Sequence, residues 1–302
     1  MRNWIKILAI ALSIALPSAH AAADTAQPVL AQIKATPALW TVHGPKGTAY
    51  LFGSIHILPP NMQWHTPDVA AALKASDTFV FEIPMDKSTQ THIADFVRDN
   101  AFLPKDQSLP ALMNNETRKD YRDVIALTGI PADKLLDKRP WFAALVLEVG
   151  YMTQRRLSPD AGVDRQVYKE ALAAGGKSFR ALETPEEQFR LLMPGYRKME
   201  MTEFDQSLKE ILKDKGVVGN MIAAWAHGDV KTLGRLMNDG LKSDPKMEKA
   251  LFENRNAKWV TKIAAMLNEN HTYFITVGAG HLAGQKGVPA MLRAKGFKVE
   301  GP

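Results

Sequence analysis

Residues 48–56 read TAYLFGSIH, and residues 272–281 read TYFITVGAGH. Each stretch begins with β-branched and aromatic residues, which are typical of a buried strand. Each ends in Gly-x-x-His, so His56 and His281 directly follow a predicted strand. The glycines allow the backbone to turn sharply at that point. Because ligands of open α/β sheets bind at the carboxyl ends of the strands, we expect both histidines to lie at a binding edge.

Glu82 lies at the end of a third predicted strand, residues 78–83. A helix predicted at 67–75 joins this strand to the one at 48–52, and a connection of this length favours a parallel pair. Glu82 and His56 would then leave neighbouring strands at the same edge of the sheet. A carboxylate buried there needs a partner, because an unpaired buried charge is costly.

Two imidazoles and one carboxylate form a donor set that suits a catalytic metal ion with open coordination positions. Such an ion polarises a carbonyl group and lowers the pKa of water. Each residue also has an ordinary structural interpretation. A histidine after a strand often only hydrogen-bonds within a turn, and Glu82 could be a capping or ion-paired carboxylate. Three such residues at three strand ends favour a shared site that contains His56, Glu82 and His281.

The composition restricts what this site can be. The chain has 302 residues, 46% of them hydrophobic, which is enough for one large core or two modest ones. It contains no cysteine, which excludes disulfides, iron–sulfur clusters, zinc ribbons and cysteine nucleophiles. Any metal must therefore be held by His, Asp or Glu. The sequence also has no phosphate-binding loop, dinucleotide fingerprint, Gly-x-Ser-x-Gly or HExxH motif, which disfavours those enzyme classes.

Residues 1–21 have the pattern of a cleaved signal peptide. Arg2 and Lys6 precede or flank a run of ten apolar or small residues, and the sequence AHA at 19–21 fits a signal-peptidase site. The run is too short for a membrane span, which needs about 20 residues. We therefore expect a periplasmic or secreted protein with a flexible leader at 22–36 and no transmembrane segment after signal removal.

The charge gives little information about partners. The formal net charge is +6, and the signal segment carries two of these positive charges. The remainder is mild for a chain of this length and includes no block of Lys and Arg, so we predict no nucleic-acid partner.

The centre of the chain is predicted to be mainly helical, whereas most strands come from its two ends. The predicted strands span residues 40–43, 48–52, 78–83, 178–182, 272–277 and 297–299. The predicted helices after residue 105 span 115–127, 132–155, 163–173, 185–192, 196–213, 217–226, 229–237, 245–267 and 288–293. This order predicts a mixed α/β (α+β) fold in one domain, residues 37–302. Its sheet is built from the N- and C-terminal segments, with a helical insertion at about 105–245.

The helix at 245–267 carries polar residues on its apolar side. Asn256 falls inside a stripe of apolar residues at helical spacing, and Arg255 flanks this stripe. A polar group that faces the core must find partners. One interpretation is a structural hydrogen bond or an arginine paired with a core carboxylate. The other has Arg255 or Asn256 orienting Glu82, or binding a substrate carboxylate or oxyanion.

Seven short motifs follow one another in a family-specific order. They are YLFGSIH at 50–56, FE at 81–82, RPW at 139–141, GVD at 162–164, LET at 182–184 with Gln188, ENRN at 253–256 and VGAGHLAG at 277–284. With these motifs the chain, from about residue 36 to 297, resembles the TraB/GumN family of bacterial proteins, which is related to the Tiki metalloproteases.

The resemblance implies an erythromycin-esterase/ChaN-like α/β fold and metal-dependent peptide hydrolysis, with manganese or cobalt as the metal in Tiki proteins. His56 and His281 match the family's paired Gly-x-x-His motifs, and Glu82 matches its acidic residue after an early strand. Arg255 and Asn256 match its Arg-Asn pair. The name of the family also suggests a role as an accessory factor for envelope polysaccharide.

We therefore predict an exported metal-dependent hydrolase, a peptidase. His56, His281 and Glu82 would bind a divalent metal (manganese, cobalt or zinc), and Glu82, Arg255 and Asn256 would serve catalysis. The helical middle would cover the cleft. The alternative is a non-catalytic periplasmic binding protein that sequesters a peptide or a haem-like small molecule, because histidines also ligate haem iron.

Overall fold

The computed structural model describes residues 34–192, 196–241 and 245–302. The predicted signal segment at 1–21 and most of the predicted leader at 22–36 lie outside these ranges. Among the helices of the described ranges, none combines the length and the apolar character needed to cross a membrane.

Within the described residues, six strands form one mixed sheet. They are β1 (Leu39–His43), β2 (Thr48–Ser54), β3 (Thr78–Phe81), β4 (Ser178–Ala181), β5 (Thr272–Gly278) and β6 (Lys298–Glu300). The strand order is β4-β3-β5-β2-β1-β6. Strands β4, β3, β5 and β2 are parallel to one another, whereas β1 runs antiparallel to both β2 and β6. The predicted mixed α/β fold, with strands from both chain ends and a helical middle, is confirmed.

The predicted pairing of the second and third strands is wrong, because β5 lies between β2 and β3. Strand β5 is buried from Tyr273 to Val277, as expected of a central strand covered on both faces. All three strands are nevertheless parallel, so their carboxyl ends meet at one edge of the sheet.

The helices after residue 60 surround this sheet. They are α1 (Pro67–Ala75), α2 (Lys87–Asn100), α3 (Asn115–Thr128), α4 (Pro140–Gln154), α5 (Val163–Ala174), α6 (Pro185–Leu192), α7 (Tyr196–Leu212), α8 (Val217–Ala226), α9 (Val230–Leu241), α10 (Pro245–Glu248), α11 (Asn254–Met266) and α12 (Val288–Ala294). A π turn, Lys249–Glu253, joins α10 to α11. Short 3₁₀ helices lie at Leu109–Leu112, Ala132–Leu135, Pro159–Ala161 and Ala279–Leu282.

The predicted helices differ from the structure at three points. The predicted helix at 132–155 is split into a 3₁₀ turn and α4, because Pro140 begins α4 and holds Arg139 in an extended conformation. Helix α2 was not predicted, although Asp86 caps it by accepting a hydrogen bond from the backbone N–H of Thr89. The predicted helix at 245–267 contains the π turn, which lies immediately before Arg255 and Asn256.

Apolar side chains fill both faces of the sheet. On one face, Phe52, Phe79 and Phe274 contact the helical middle of the chain. On the other face, Leu51 and Ile275 pack with Trp259 of α11 and with α12. A parallel sheet covered on both faces leaves its strand ends as the natural place for a ligand.

Candidate metal centre

Three loops at the carboxyl edge of the parallel strands bring His56, Glu82 and His281 together. They follow β2, β3 and β5, respectively. A Cβ atom built at Gly278 would lie 3.2 Å from Oε1 of Glu82, 3.6 Å from Cδ2 of His281 and 3.8 Å from Nε2 of His56. All three side chains are buried. The absence of a side chain at Gly278 leaves the space onto which they converge.

His56 is oriented by Asp164, in the first turn of α5. Nδ1 of His56 lies 2.7 Å from Oδ1 of Asp164, and the hydroxyl of Ser54 donates to the same oxygen. This contact leaves Nε2 of His56 free to face Gly278. Burial acts to lower the pKa of His56, but the adjacent Asp164 carboxylate outweighs it, so that the pKa is raised.

His281 is held through both ring nitrogens. Its Nδ1 donates to Oδ1 of Asn256 at 2.6 Å, and the Asn256 amide is fixed by donating to the carbonyl of Lys286 at 2.8 Å. Nη1 of Arg255 donates to Nε2 of His281 at 3.0 Å. Burial, with the Arg255 charge, lowers the pKa of His281 to about 3, so its imidazole is neutral near pH 7.

Arg255 links His281 to two buried carboxylates. Its Nη2 donates to Oε2 of Glu82 at 2.6 Å and also to Oε1 of Glu183, and its Nε donates to Oε2 of Glu183 at 3.1 Å. The backbone N–H of Gly278 donates to the other oxygen of Glu82 at 2.7 Å. Gln188 of α6 donates to both Glu82 and Glu183. The guanidinium also lies over the Trp259 ring.

The centre contains more buried carboxyl groups than arginine or lysine side chains. Burial opposes ionisation of Glu82, but Arg255 above all lowers its pKa to about 2. Burial raises the pKa of Glu183 even though Arg255 contacts it. Oδ2 of Asp164 is buried without a hydrogen-bond partner among the described residues. Glu82 and Glu183 thus share one permanently charged cation, Arg255, so a further cation would be attracted to the site.

Imidazole and carboxylate side chains are suitable ligands for a divalent metal. In the structure, however, their arrangement does not present three ligands to one ion. Across residues 34–192, 196–241 and 245–302, no group of three or more His, Asp or Glu side chains is placed to hold a metal ion. Arg255 donates hydrogen bonds to Oε2 of Glu82 and to Nε2 of His281. The anchoring of each imidazole through Nδ1 is nevertheless the arrangement found around catalytic metals. His281 would have to release Arg255 to present Nε2.

A small recess lies over these side chains. His56, Glu82 and His281 line it on one side. Its other side is apolar and is formed by Met221, Leu233, Met237 and Phe252. The helical middle of the chain supplies α8 and α9 to this apolar side.

Sequence reasoning missed the roles of two acidic residues. Asp164 opens a predicted helix, where an acid also suits the helix dipole, and the structure shows that its carboxylate orients His56. Glu183 follows the predicted strand at 178–182; β4 joins the sheet, and Glu183 binds Arg255. The GVD and LET motifs mark both residues, but their partners are more than 70 residues away along the chain.

Replacement of Asp164 by alanine is expected to lower the free energy of unfolding by about 2 kcal/mol, because the buried donors of His56 and Ser54 would lose a charged acceptor. Chemical denaturation measures the change. The control is Asp160→Ala, which breaks an exposed pair with Arg165 and should cost less than about 1 kcal/mol. An Asp164→Ala variant as stable as this control would contradict the anchoring role.

The fold and the edge cluster together define an α/β protein with a buried histidine–carboxylate centre at the carboxyl ends of its parallel strands. The chain belongs to the TraB/PrgY/gumN family, whose sequence model matches residues 38–301.

Its relatives are distant. The chain is 24% identical over 260 residues to the uncharacterized protein YbaP of Shigella flexneri, covering 81% of this chain and 88% of that protein. It is also 24% identical over 316 aligned positions to metalloprotease TIKI2 of Danio rerio, covering 87% of this chain and 60% of TIKI2. No solved structure matches the chain.

Proposed function

We propose that this protein is an exported metal-dependent hydrolase that cleaves peptide bonds. The observation that carries the proposal is the pair of anchored imidazoles, His56 on Asp164 and His281 on Asn256, close to the ionised Glu82. The similarity to a metalloprotease supports hydrolysis, and the signal-like pattern at 1–21 supports export.

His56, His281 and Glu82 would hold manganese, cobalt or zinc. When bound, a divalent ion supplies Lewis-acid polarisation of the substrate carbonyl. We assign Glu82 to the ligand set rather than to general-base catalysis. With a pKa of about 2 it accepts a proton poorly near pH 7, where a general base works best with a pKa close to that of the medium.

Arg255 and Asn256 would support the reaction in different ways. Once Nη1 of Arg255 leaves His281, its N–H group is available to stabilise negative charge on a substrate oxygen. Asn256 is a positioning residue, because it acts through Nδ1 of His281. Arg255 keeps Glu183 as a partner through two N–H groups, so the guanidinium stays in place while one N–H changes its acceptor.

The proposal is tested by metal titration and peptide cleavage. Chelator-treated wild type should bind one Mn²⁺, Co²⁺ or Zn²⁺ ion by calorimetry and then cleave a peptide library analysed by mass spectrometry. His56→Ala, Glu82→Gln and His281→Ala should each bind the ion at least tenfold more weakly and lose turnover.

His271→Ala is the matched control, because His271 is exposed and lies at the opposite end of β5. Wild-type affinity and turnover in all three site variants would contradict the proposal. Binding of metal or haem by the wild type without cleavage of any peptide would instead favour the sequestering protein.

A further inference from the structure

The recess over the centre has two chemically different sides. We name as the apolar wall the side formed by Met221 of α8, Leu233 and Met237 of α9, and Phe252 of the π turn. We propose that the apolar wall selects peptides with a small or unbranched apolar side chain next to the cleaved bond. This inference rests on the hydrolase function proposed above and names its substrate class.

The wall offers a substrate no polar partner. Met221, Leu233 and Met237 are buried, and all four wall side chains lack a strong hydrogen-bond donor or acceptor. A substrate held over His56 and His281 must therefore turn one side chain towards apolar atoms. A polar or charged side chain would lose its water there without gaining a hydrogen bond, which is costly. The wall thus favours apolar residues.

Met237 limits how large that residue can be. A Cβ atom built at Gly280 would lie 2.3 Å from Cε of Met237 and 3.0 Å from Cε1 of Phe252, so both side chains lie directly on the loop that carries His281. Methionine has three rotatable side-chain bonds and adapts to its surroundings. A small or unbranched side chain can slide along Met237, whereas an aromatic ring requires Met237 to move away.

A peptide series with constant flanks and one varied residue tests the preference. The varied residue is alanine, norleucine, phenylalanine, aspartate or lysine, and kcat/KM is measured for cleavage next to it by the metal-loaded protein. We expect kcat/KM to be at least about tenfold higher for norleucine than for aspartate or lysine. Met237→Ala should raise the ratio of kcat/KM for phenylalanine over alanine about tenfold.

Leu236→Ala is the matched control. Leu236 neighbours Met237 on α9 but does not line the recess, so this variant should keep the wild-type ratio. Cleavage that shows no apolar preference, or a Met237→Ala variant with an unchanged ratio, would overturn the inference and leave the hydrolase function standing.

A binding measurement separates this inference from the hydrolase function. In protein labelled with ¹³C-methyl methionine, the signals of Met221 and Met237 are identified through Met221→Leu and Met237→Leu variants. Both signals should shift with the norleucine peptide and stay unchanged with the aspartate and lysine peptides. Such selective binding without cleavage would support the wall's specificity and contradict hydrolysis. No shift with any peptide would overturn the inference even if cleavage occurs elsewhere on the surface.

Discussion

Replacement of Arg255 by methionine is expected to lower the free energy of unfolding by about 3–5 kcal/mol. The change removes the cation that faces Glu82 and Glu183, both of which are buried. Removing one partner of a buried pair leaves a charge that has lost its water without compensation. The loss of the Trp259 contact adds to the effect. Urea or guanidinium denaturation at pH 7.5 measures it.

Two further variants make this prediction specific. Arg255→Met combined with Glu183→Gln should recover part of the lost stability, because the double variant has one unpaired buried charge fewer. Lys286→Ala removes an ion pair with Glu253 in which the lysine side chain is 66% exposed, and it should change the free energy of unfolding far less. An Arg255→Met loss as small as this would show that the buried carboxyl groups do not depend on Arg255.

The general architecture could be predicted because hydrophobic periodicity is local. The β-rich runs that end at Ser54 and Gly278 identify buried strands whatever their neighbours are. The order of the strands is not local. Nothing in the segment joining β2 to β3 indicates that β5, almost 200 residues further on, inserts between them. The sequence therefore predicted at which edge of the sheet these strands end, but not which strands lie next to each other.

The candidate site could be predicted in part for the same reason. The Gly-x-x-His motifs placed His56 and His281 at strand ends, and parallel strands made the ends coincide. The function of Arg255 depends on contacts with Glu82 and Glu183, which lie 173 and 72 residues away. Sequence spacing shows only that a polar group faces the core. The structure pairs Arg255 with Glu82 and Glu183, a contact that is compatible with both interpretations.

Arg255 connects stability to the proposed chemistry. Its guanidinium balances the charge of Glu82 and Glu183 and also donates a hydrogen bond to Nε2 of His281. A divalent ion bound to the same donors would take over part of this charge balance. The protein is therefore expected to fold first with Arg255 as the only cation between these carboxyl groups. It would accept a metal afterwards, when Arg255 gives up its hydrogen bond to His281.

The stability of the metal-free protein is expected to fall steeply between about pH 6.5 and pH 4. His281 has a pKa of about 3 in the folded protein and 6.5 as its ordinary value. Below pH 6.5 the unfolded chain binds a proton at this residue that the folded protein does not, so acid favours unfolding until the pH reaches about 3. At about 1.4 kcal/mol per pH unit, this residue alone removes about 3 kcal/mol by pH 4.

Two neighbouring groups add pH dependence mainly outside this range. Glu82, with a pKa lowered from 4.5 to about 2, stabilises the folded protein above pH 4.5 and loses this contribution as the pH falls towards 2. His56, whose pKa is raised, contributes stability that is fully present below pH 6.5 and is lost as the pH rises through its folded pKa, so it changes the stability above pH 6.5 and leaves the slope between pH 6.5 and pH 4 unchanged.

Denaturation curves between pH 7.5 and pH 4 should be compared for the wild type and His281→Gln. The His281→Gln curve should be flatter by up to about 3 kcal/mol, because the variant cannot bind the extra proton when unfolded. His271→Gln, at an exposed position, should retain the wild-type slope. Parallel slopes for the wild type and His281→Gln would mean that the His281 imidazole is not held neutral by burial and by Arg255.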